Sequence, residues 1–459
     1  MRDITRPLTL FGTCRPFRGE IGVMQMNALL TWSQLGAPIL VLGDEEGAAE
    51  AAATIGARHI PRIERDATGL PTVRGLFDAA EAHSDTPCLA YVNTDILLTP
   101  ALIPAVSRAL AAASDAPVLA TTRRRNIPAH RPLPDDADAR LDAIAALDAR
   151  SGGWNAGTAV DIFAYPRGLF DAIPDLVIGR MHWDHWLLWK ARDRGASVVD
   201  VSPDAPVYHP VHGYGGQAKG WGEVTQSAEA ARNRSLINGH ALTLDQAMTH
   251  CLKDGAVIRL TDAGRAALIA ASAPDPARHM AAGLAYLRDG LDARPLGETI
   301  DGCRVLLDRF GHFVSRDDDA LPAPDAVADA LTRAQRALDA GDADAAACMI
   351  QDLVCAGFAD RLQTAVAAGR RVYVWGGGGA GGWAAALLRR AGVELAGVAD
   401  SDPTLVGATR HAAPVVASDW ASLRAHDPSA YVVIASMYAR EIASMLTAAG
   451  ARPGGDFTA

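Results

Sequence analysis

Two polar side chains follow an apolar segment in the stretch Pro87–Pro100, whose sequence is PCLAYVNTDILLTP. Leu89–Val92 is predicted to be a short buried strand, and Asn93 and Asp95 come directly after it. Ligands of open α/β sheets bind at the carboxyl ends of the strands. Amide and carboxylate oxygens suit Mg2+ or Mn2+, which hold nucleotide phosphates in the same coordination shell. The spacing therefore predicts a metal–diphosphate site at this point of the chain.

The first ~100 residues alternate strand-like and helix-like segments, which is the pattern of a mostly parallel sheet with helices on both faces. The predicted strands are Leu8–Thr13, Pro38–Gly43, Arg58–Ile63 and Cys88–Val92, and the predicted helices are Gly22–Leu35, Ala48–Ile55 and Val73–His83. Thr13 and Asp44 fall where the first two strands end, on the same sheet edge as Asn93 and Asp95. Asp44 and Thr13 are therefore candidate contacts for a nucleotide base or ribose.

A dense region from Gly152 to Trp221 holds most of the tryptophans and many of the histidines. It contains GWNAGTAVDIFAYP at 153–166, IGRMHWDHWL at 178–187 and VYHPVHGY at 207–214. Together with the segments before it, this region resembles the GT-A class of glycosyltransferases, which use nucleotide sugars. The order and approximate spacing match from Leu8 to Tyr214. The resemblance implies a DxD-type motif after a strand of an αβα sandwich, and Asn93 stands here in place of the first acid.

The resemblance also implies a role for each matching residue. Asp95 would hold the metal and the donor diphosphate, with His212, or alternatively His209, as a further metal ligand. Asn93 would contact the ribose or the metal through its uncharged carbonyl. Asp184 would be the general base that deprotonates the acceptor hydroxyl, because inverting transfer needs one base opposite the leaving diphosphate.

Further candidate contacts to the donor surround these residues. Asp161 lies in the aspartate-containing strand of the resemblance. Arg180 is expected either to pair with a diphosphate or sugar carboxylate or to lie at the surface. Trp183 is expected either to stack on a sugar ring or to pack in the core. Asp184 follows it in an apolar setting that favours a raised pKa, with simple helix capping as the alternative.

A second glycine-rich motif lies near the end of the chain. Val372–Trp375 is predicted to be a strand, and Gly376, Gly378 and Gly381 follow it as G-x-G-x-x-G, although a register shifted by one residue fits equally. Asp400 comes 24 residues after the first glycine. Backbone amides at a helix start suit phosphate, and an acid at this distance suits ribose, so a nucleotide site is predicted.

The same segment resembles the small nucleotide-binding domain of bacterial sugar O-acyltransferases. The resemblance lies in VYVWGGGGAGG at 372–382, VADSDP at 398–403 and VVIASMY at 432–438. The hexapeptide repeats of those enzymes are absent from the sequence, so it implies a nucleotide or nucleotide-sugar pocket but not acyl transfer. A purely structural module is the alternative.

Composition limits the classes of partner. The chain has 459 residues and a formal net charge of −10, which argues against nucleic acid. It has no apolar run of transmembrane length, no signal-peptide-like start and six scattered cysteines without a CxxC pair, which predicts a cytoplasmic protein. Peripheral membrane contact and oligomeric state stay open. The basic run Arg123–Arg125 is predicted to be either a solvated face or a phosphate contact.

These features together predict an α/β protein in three parts. Residues 1–228 form a GT-A-like αβα sandwich with a mostly parallel sheet, 229–368 a mainly helical region, and 369–459 a small Rossmann-like module. The predicted function is metal-dependent transfer of a sugar from a nucleotide-diphosphate sugar to a saccharide or lipid-linked acceptor, in bacterial surface polysaccharide or glycoconjugate synthesis. The cofactor is Mn2+ or Mg2+, with a possible second nucleotide in the C-terminal module.

Three alternatives remain at this stage. A non-catalytic nucleotide-sugar binding protein would fit the uncharged Asn93. An NAD(P)-dependent oxidoreductase would use the C-terminal module, but about 60 residues after Asp400 are few for a substrate domain. A sugar nucleotidyltransferase would need a glycine-rich basic loop after the first strand, and Phe11–Gly19 (FGTCRPFRG) does not have that pattern.

Overall fold

The structure is a computed structural model. It describes residues 7–458 apart from 113–115, 156, 212–226, 274, 290, 292–295, 297–298, 301, 304–305, 307–322, 355, 391 and 436–438. The described chain divides into two compact units, one running to residue 282 and the other from residue 283 onward.

The first unit is built on a large sheet whose strands are named in chain order. They are β1 (Leu8–Thr13), β2 (Ile39–Leu42), β3 (Arg58–Ile60), β4 (Cys88–Val92), β5 (Val118–Ile127), β6 (Gly153–Trp154), β7 (Val160–Pro166), β8 (Ser197–Asp200), β9 (Val207–Pro210), β10 (His250–Lys253) and β11 (Ala256–Arg259).

Helices connect these strands. They are α1 (Gly19–Trp32), α2 (Ala48–Thr54), α3 (Val73–His83), α4 (Leu102–Ala111), α5 (Ala137–Ser151), α6 (Trp183–Asp193), α7 (Ala228–Ile237), α8 (Leu244–Ala247), α9 (Asp262–Ala271) and α10 (Pro276–Asp289), the last of which crosses the boundary between the units.

One reversed strand determines which side chains meet in this sheet. The strand order is β11-β10-β8-β5-β7-β4-β1-β2-β3, with β6 and β9 pairing with β5. Most neighbours are parallel, but β7 runs antiparallel to both β4 and β5. The amino end of β7 therefore lies beside the carboxyl end of β4.

Apolar side chains cover both faces of the sheet. On one face, α1, α2 and α4 contribute buried residues such as Leu29, Ala51 and Val106. On the other face, α3 and α6 contribute Phe77 and Trp186 among others. Helix, sheet and helix thus form three layers, and the predicted α/β sandwich with a mostly parallel sheet is confirmed.

The region after residue 228, predicted to be mainly helical, also contains two strands. The hairpin of β10 and β11 lies in it and extends the large sheet through parallel pairing with β8. Its turn is Asp254–Gly255, where φ is +51° and +75°. Asp-Gly is the preferred pair for a two-residue hairpin turn with positive φ at both positions. The signal was present in the sequence, within a segment otherwise rich in helix formers.

The basic run Arg123–Arg125 is not a solvated face. Strand β5 extends to Ile127, and this carries the three arginines into the sheet. Arg123 is 1% exposed, and its guanidinium lies 2.9 Å from Asp200 Oδ2 and 2.6 Å from Asp245 Oδ1. A buried arginine must be paired in this way, and the pairing joins β5 to β8 and α8.

The second unit contains a smaller sheet. Its strands are β12 (Arg371–Trp375), β13 (Leu395–Ala399), β14 (Thr409–Arg410), β15 (Ala413–Ala417), β16 (Ala430–Ile434) and β17 (Phe457–Thr458), and its helices are α11 (Pro324–Asp339), α12 (Ala343–Val354), α13 (Ala356–Ala367), α14 (Gly379–Arg390), α15 (Trp420–His426) and α16 (Ala439–Ala448). The order is β14-β15-β13-β12-β16-β17, and only β14 is antiparallel to its neighbour. Within the described parts of both units, no helix combines the length and the apolar character needed to span a membrane.

Replacing Asp200 with alanine should destabilise the first unit strongly. Arg123 would be left buried without its 2.9 Å partner, and breaking a buried ion pair costs roughly 3–5 kcal/mol. Asp171→Ala is the control, because Asp171 pairs with Arg194 at the surface and such pairs contribute about 1 kcal/mol or less. Urea unfolding followed by circular dichroism gives the free energy of unfolding of both variants. Equal losses of stability would contradict a structural role for the Arg123–Asp200 ion pair.

Candidate functional site

The reversed strand brings residues 93 and 161 side by side. Asn93 follows the carboxyl end of β4, and Asp161 is the second residue of β7. The backbone N–H of Asn93 donates to the carbonyl of Asp161 at 3.0 Å. Two candidate side chains that are 68 residues apart in the chain therefore share one sheet edge.

A chain of hydrogen bonds fixes both side chains. The Tyr91 hydroxyl donates to Asn93 Oδ1 at 2.7 Å, and Asn93 Nδ2 donates to Asp161 Oδ1 at 2.7 Å. Arg124 Nη1 lies 3.0 Å from each carboxylate oxygen of Asp161. Asp161 is buried, and burial raises its pKa although Arg124 opposes the shift; the charge of Asp95 adds to it.

Asp95 lies at the same edge beside a buried histidine. Its Oδ2 is 3.5 Å from Nε2 of His209, and 30% of the Asp95 side chain is exposed. His209 is in β9, which pairs with the outer part of β5. The predicted metal ligand His212 lies outside the described residues, so its role stays a prediction. Of the two histidines considered, His209 is the one seen next to Asp95.

Asp184 stands in the first turn of α6 with 20% of its side chain exposed. Burial raises the pKa of its carboxyl, and the negative charge of Asp161 raises it further, whereas His185 opposes the shift. Nε2 of His185 lies 3.0 Å from the carbonyl of Thr158 and 4.0 Å from Asp184 Oδ2. The helix start is thereby tied to the segment that leads into β7.

Trp183 and Tyr91 pack against each other next to the segments that carry the carboxylates. The Trp183 ring is buried, at 5.3 Å edge-on to Tyr91 and 5.7 Å from Phe163, so it packs in the core. Burial raises the pKa of the Tyr91 hydroxyl well above its ordinary value, and the charges of Asp95, Asp161 and Asp184 each add to the shift. All three carboxylates therefore act on the same phenol.

The oxygen donors at this edge suit a hard cation whose coordination shell is completed by a bound ligand. Within the described ranges, no group of three His, Cys, Asp or Glu side chains is close enough to hold a metal ion by itself. Mg2+ and Mn2+ in nucleotide sites commonly use one or two carboxylates together with substrate phosphates. Asp95, with its partly exposed carboxylate, and the Asn93 carbonyl are oxygen donors of that kind.

Buried polar atoms also mark the ends of β1 and β2. Thr13 Oγ1 and Glu45 Oε2 are buried and have no hydrogen-bond partner in the described part of the chain. Both lie against Gly43, whose φ is +103° and where an added Cβ would come within 2.2 Å of Glu45 Oε2. Asp44, the predicted contact, is instead 68% exposed and lies 2.6 Å from Arg65.

Arg180 is buried and held by its own surroundings. Its Nε lies 3.2 Å from Ser227 Oγ and 3.9 Å from a carboxylate oxygen of Glu229, and its Nη1 donates to the carbonyl of Gly179. These contacts attach the segment before α6 to the start of α7. A contact to a diphosphate or sugar carboxylate stays a prediction.

The glycine run of the second unit forms a tight strand-to-helix turn. Gly376 has a φ of +135°, and a Cβ at Gly381 would be 1.8 Å from the carbonyl oxygen of Gly376. Asp400 Oδ2 accepts from the N–H of Gly377 at 2.5 Å, and its Oδ1 accepts from the N–H of Asp402 at 2.9 Å. Asp400 thus braces the glycine turn, and its carboxylate is engaged by backbone donors.

The sequence does not single out two residues at these edges, Glu45 and Arg124. At the end of β2 the sequence favours Asp44 over Glu45, although the glycine before them indicates an unusual turn. Arg124 was treated as one of three similar arginines, since nothing local distinguishes it from its neighbours. Its pairing with Asp161 depends on the register between β5 and β7, which only the folded sheet defines.

No protein-family model and no curated protein matches this chain. Among solved structures, a glucosyl-3-phosphoglycerate synthase of Mycobacterium tuberculosis is 15% identical, with 51% of this chain and 81% of that chain covered and a TM-score of 0.33. A complex of that synthase with Mn2+, UDP and glucosyl-3-phosphoglycerate is 14% identical, with 51% of this chain and 80% of that chain covered and a TM-score of 0.33. S. aureus TarS 1–349 is 12% identical, with 75% of this chain and 90% of that chain covered and a TM-score of 0.32. These likenesses are weak, so the side chains carry the functional argument.

Gly381→Ala should destabilise the second unit by roughly 2 kcal/mol or more, because the new methyl group would overlap the carbonyl of Gly376. Gly378→Ala is the matched control: an added Cβ there meets no atom within 4 Å. Chemical denaturation measures the difference in stability between the two variants, and hydrogen exchange of the β12 amides measures it locally. Equal stability of the two variants would refute the tight strand-to-helix approach.

Proposed function

We propose that this protein is a glycosyltransferase that moves a sugar from a nucleotide-diphosphate sugar to an acceptor hydroxyl. One observation carries the proposal: Asp161 is bonded to Asn93, Asp95 lies two residues further on, and Asp184 follows Trp183, whose ring contacts Tyr91, so carboxylates from three separate segments come to the carboxyl edge of the sheet, where each raises the pKa of Tyr91. Gathering three acidic groups costs free energy of folding, and such clusters of perturbed carboxyl groups are typical of functional sites.

The donor would bind along the ends of β1, β2 and β4. Thr13 Oγ1 and Glu45 Oε2 offer a buried donor and acceptor to a base or ribose, and polar atoms buried without a partner favour a ligand at that place. Asp95 and the side-chain amide oxygen of Asn93 would hold Mn2+ or Mg2+, which when bound neutralises the charge of the leaving diphosphate. Asp95 is thus the residue on which donor binding depends most.

The acceptor hydroxyl would be deprotonated by Asp184. A general base works best when its pKa approaches the working pH, and burial with a neighbouring carboxylate shifts Asp184 in that direction. His185, anchored to the Thr158 carbonyl, would hold the helix start that presents this carboxylate. Trp183 supports the site from the core.

The setting that we propose is bacterial surface polysaccharide or glycoconjugate synthesis in the cytoplasm, with a saccharide or lipid-linked acceptor. The second unit would add a nucleotide pocket at the turn of Gly376, Gly378 and Gly381. A ribose contact by Asp400 would then require its bonds to the N–H groups of Gly377 and Asp402 to be exchanged for a ligand. A purely structural role for this turn is the alternative.

A non-catalytic nucleotide-sugar binding protein is the second candidate. It is favoured by the neutral amide at position 93, which contributes no charge toward a metal. Release of free nucleotide from a panel of nucleotide sugars, with and without Mn2+, separates the two functions. A catalyst releases nucleotide with multiple turnovers, and a binding protein does not.

Asp95→Ala should abolish Mn2+-dependent binding of nucleotide sugars while leaving the fold intact, because Asp95 is partly exposed and its loss removes a charged donor. Isothermal titration with UDP, GDP, ADP and CDP sugars measures binding, and the circular dichroism spectrum checks the fold. Asp171→Ala, at an exposed surface pair, should bind normally. Unchanged affinity in Asp95→Ala would rule out the metal assignment.

Asp184→Asn should retain donor binding and lose transfer by about 100-fold or more, because the amide cannot take up the proton of the acceptor hydroxyl.

In the wild type, activity should fall as the pH drops through the pKa of Asp184, since the base must be deprotonated. That pKa is raised above the ordinary carboxyl value, so the loss should occur at a higher pH than for an unperturbed aspartate. A profile of kcat against pH checks this, and full turnover by Asp184→Asn would exclude Asp184 as the base.

A further inference from the structure

We propose that Asp161 and Arg124 are positioning residues for Asn93, and that the site requires one carboxylate, not two, across positions 93 and 161. This inference deepens the proposed function and rests on it. Its consequence is opposite to the simplest expectation from the resemblance: restoring the first acid of a DxD motif by Asn93→Asp should weaken ligand binding instead of strengthening it.

The orientation of the Asn93 amide follows from its neighbours. Asp161 is an acceptor when ionised, so the group 2.7 Å from its Oδ1 must be the NH2 of Asn93. The carbonyl oxygen then points to Tyr91, whose hydroxyl donates to it at 2.7 Å. Turning the amide over would place its oxygen against a carboxylate. The chain of bonds therefore has one favourable arrangement, and it leaves one lone pair of Asn93 Oδ1 to offer to a cation or a ribose hydroxyl.

Arg124 stabilises this arrangement at a buried position by pairing with the Asp161 carboxylate. Its Nη1 contacts both oxygens of Asp161 at 3.0 Å, and Asp161 is 5% exposed. The pair of Asp161 and Arg124 is neutral as a whole, and the amide of Asn93 completes the hydrogen bonding of the carboxylate. A second carboxylate at position 93 would face Asp161 with no additional cation from this pair and would repel it.

An exchange of the two side chains keeps a hydrogen bond between each neighbouring pair of residues, although Arg124 Nη1 then meets one oxygen at residue 161 instead of two. In Asn93→Asp/Asp161→Asn, the Tyr91 hydroxyl can still donate to residue 93, the amide of residue 161 can donate to the new carboxylate, and Arg124 can donate to the amide oxygen. The exchanged protein has the same net charge as the wild type. It therefore separates the requirement for one carboxylate from a requirement for an acid at a fixed position.

The test compares Asn93→Asp, Asn93→Ala, Asp161→Asn and the double exchange in the full chain. Binding of Mn2+ with a nucleoside diphosphate is measured by titration, using UDP, GDP, ADP and CDP as probes. We expect Asn93→Asp to bind at least about tenfold more weakly than the wild type and more weakly than Asn93→Ala, which loses the amide without adding a charge. The double exchange should bind more tightly than either of its single parents.

Two results would overturn the inference while leaving the proposed function in place. One is binding by Asn93→Asp as tight as that of the wild type. The other is a double exchange no better than Asp161→Asn. Absence of binding in the wild type for every probe would instead overturn the proposed function. The melting temperatures of the same variants then decide the inference: it requires a lower value for Asn93→Asp and recovery in the double exchange.

Arg124 provides an independent check. Arg124→Met should weaken binding because Asp161 loses its cation, and Arg124→Lys should recover much of it, since a single nitrogen makes both contacts in the wild type. A merely structural role of the arginine stem predicts instead that methionine is tolerated as well as lysine. That result would remove Arg124 as a positioning residue.

Discussion

The site depends on one reversal of direction in a mostly parallel sheet. Strand β7 runs against β4 and β5, so its first residues lie beside the last residues of β4. Without that reversal, Asp161 would lie at the opposite edge of the sheet from Asp95. The antiparallel pairing is therefore the constraint that creates a cluster of carboxylates, and the hydrogen bond between the Asn93 N–H and the Asp161 carbonyl is its local expression.

Close carboxylates repel one another, and the fold offsets that repulsion with nearby partners. Arg124 pairs with Asp161, His209 lies beside Asp95, and His185 lies beside Asp184. Burial still shifts the pKa of Asp161 and of Asp184 upward. The result is a pair of acidic groups whose affinities for protons differ from those of ordinary surface aspartates, which is typical of functional sites.

Arginines on one strand serve different structural purposes. Arg123 is buried with Asp200 and Asp245 and holds β5 to its neighbours, whereas Arg124 reaches the carboxylate of the candidate site. Arg125 pairs with Asp148 of α5 and lies over the ring of Trp154. Three identical side chains in sequence thus meet four different aspartates, because alternation and the irregular register of β5 direct them to different surroundings.

The sequence by itself determined the local features. Strands β1 and β4 and helix α3 have the predicted bounds, because short apolar runs and a periodic helix face are read from neighbouring residues. Local order also indicated the strand-end residues Thr13, Asn93 and Asp95. Tertiary structure decided the rest: the hairpin of β10 and β11, the engagement of Asp400 by its own glycine turn, and the partners Arg124, His209 and Glu45. Apart from the hairpin, whose Asp254–Gly255 turn is a local signal, these depend on contacts between distant segments, which the spacing of residues along the chain does not mark.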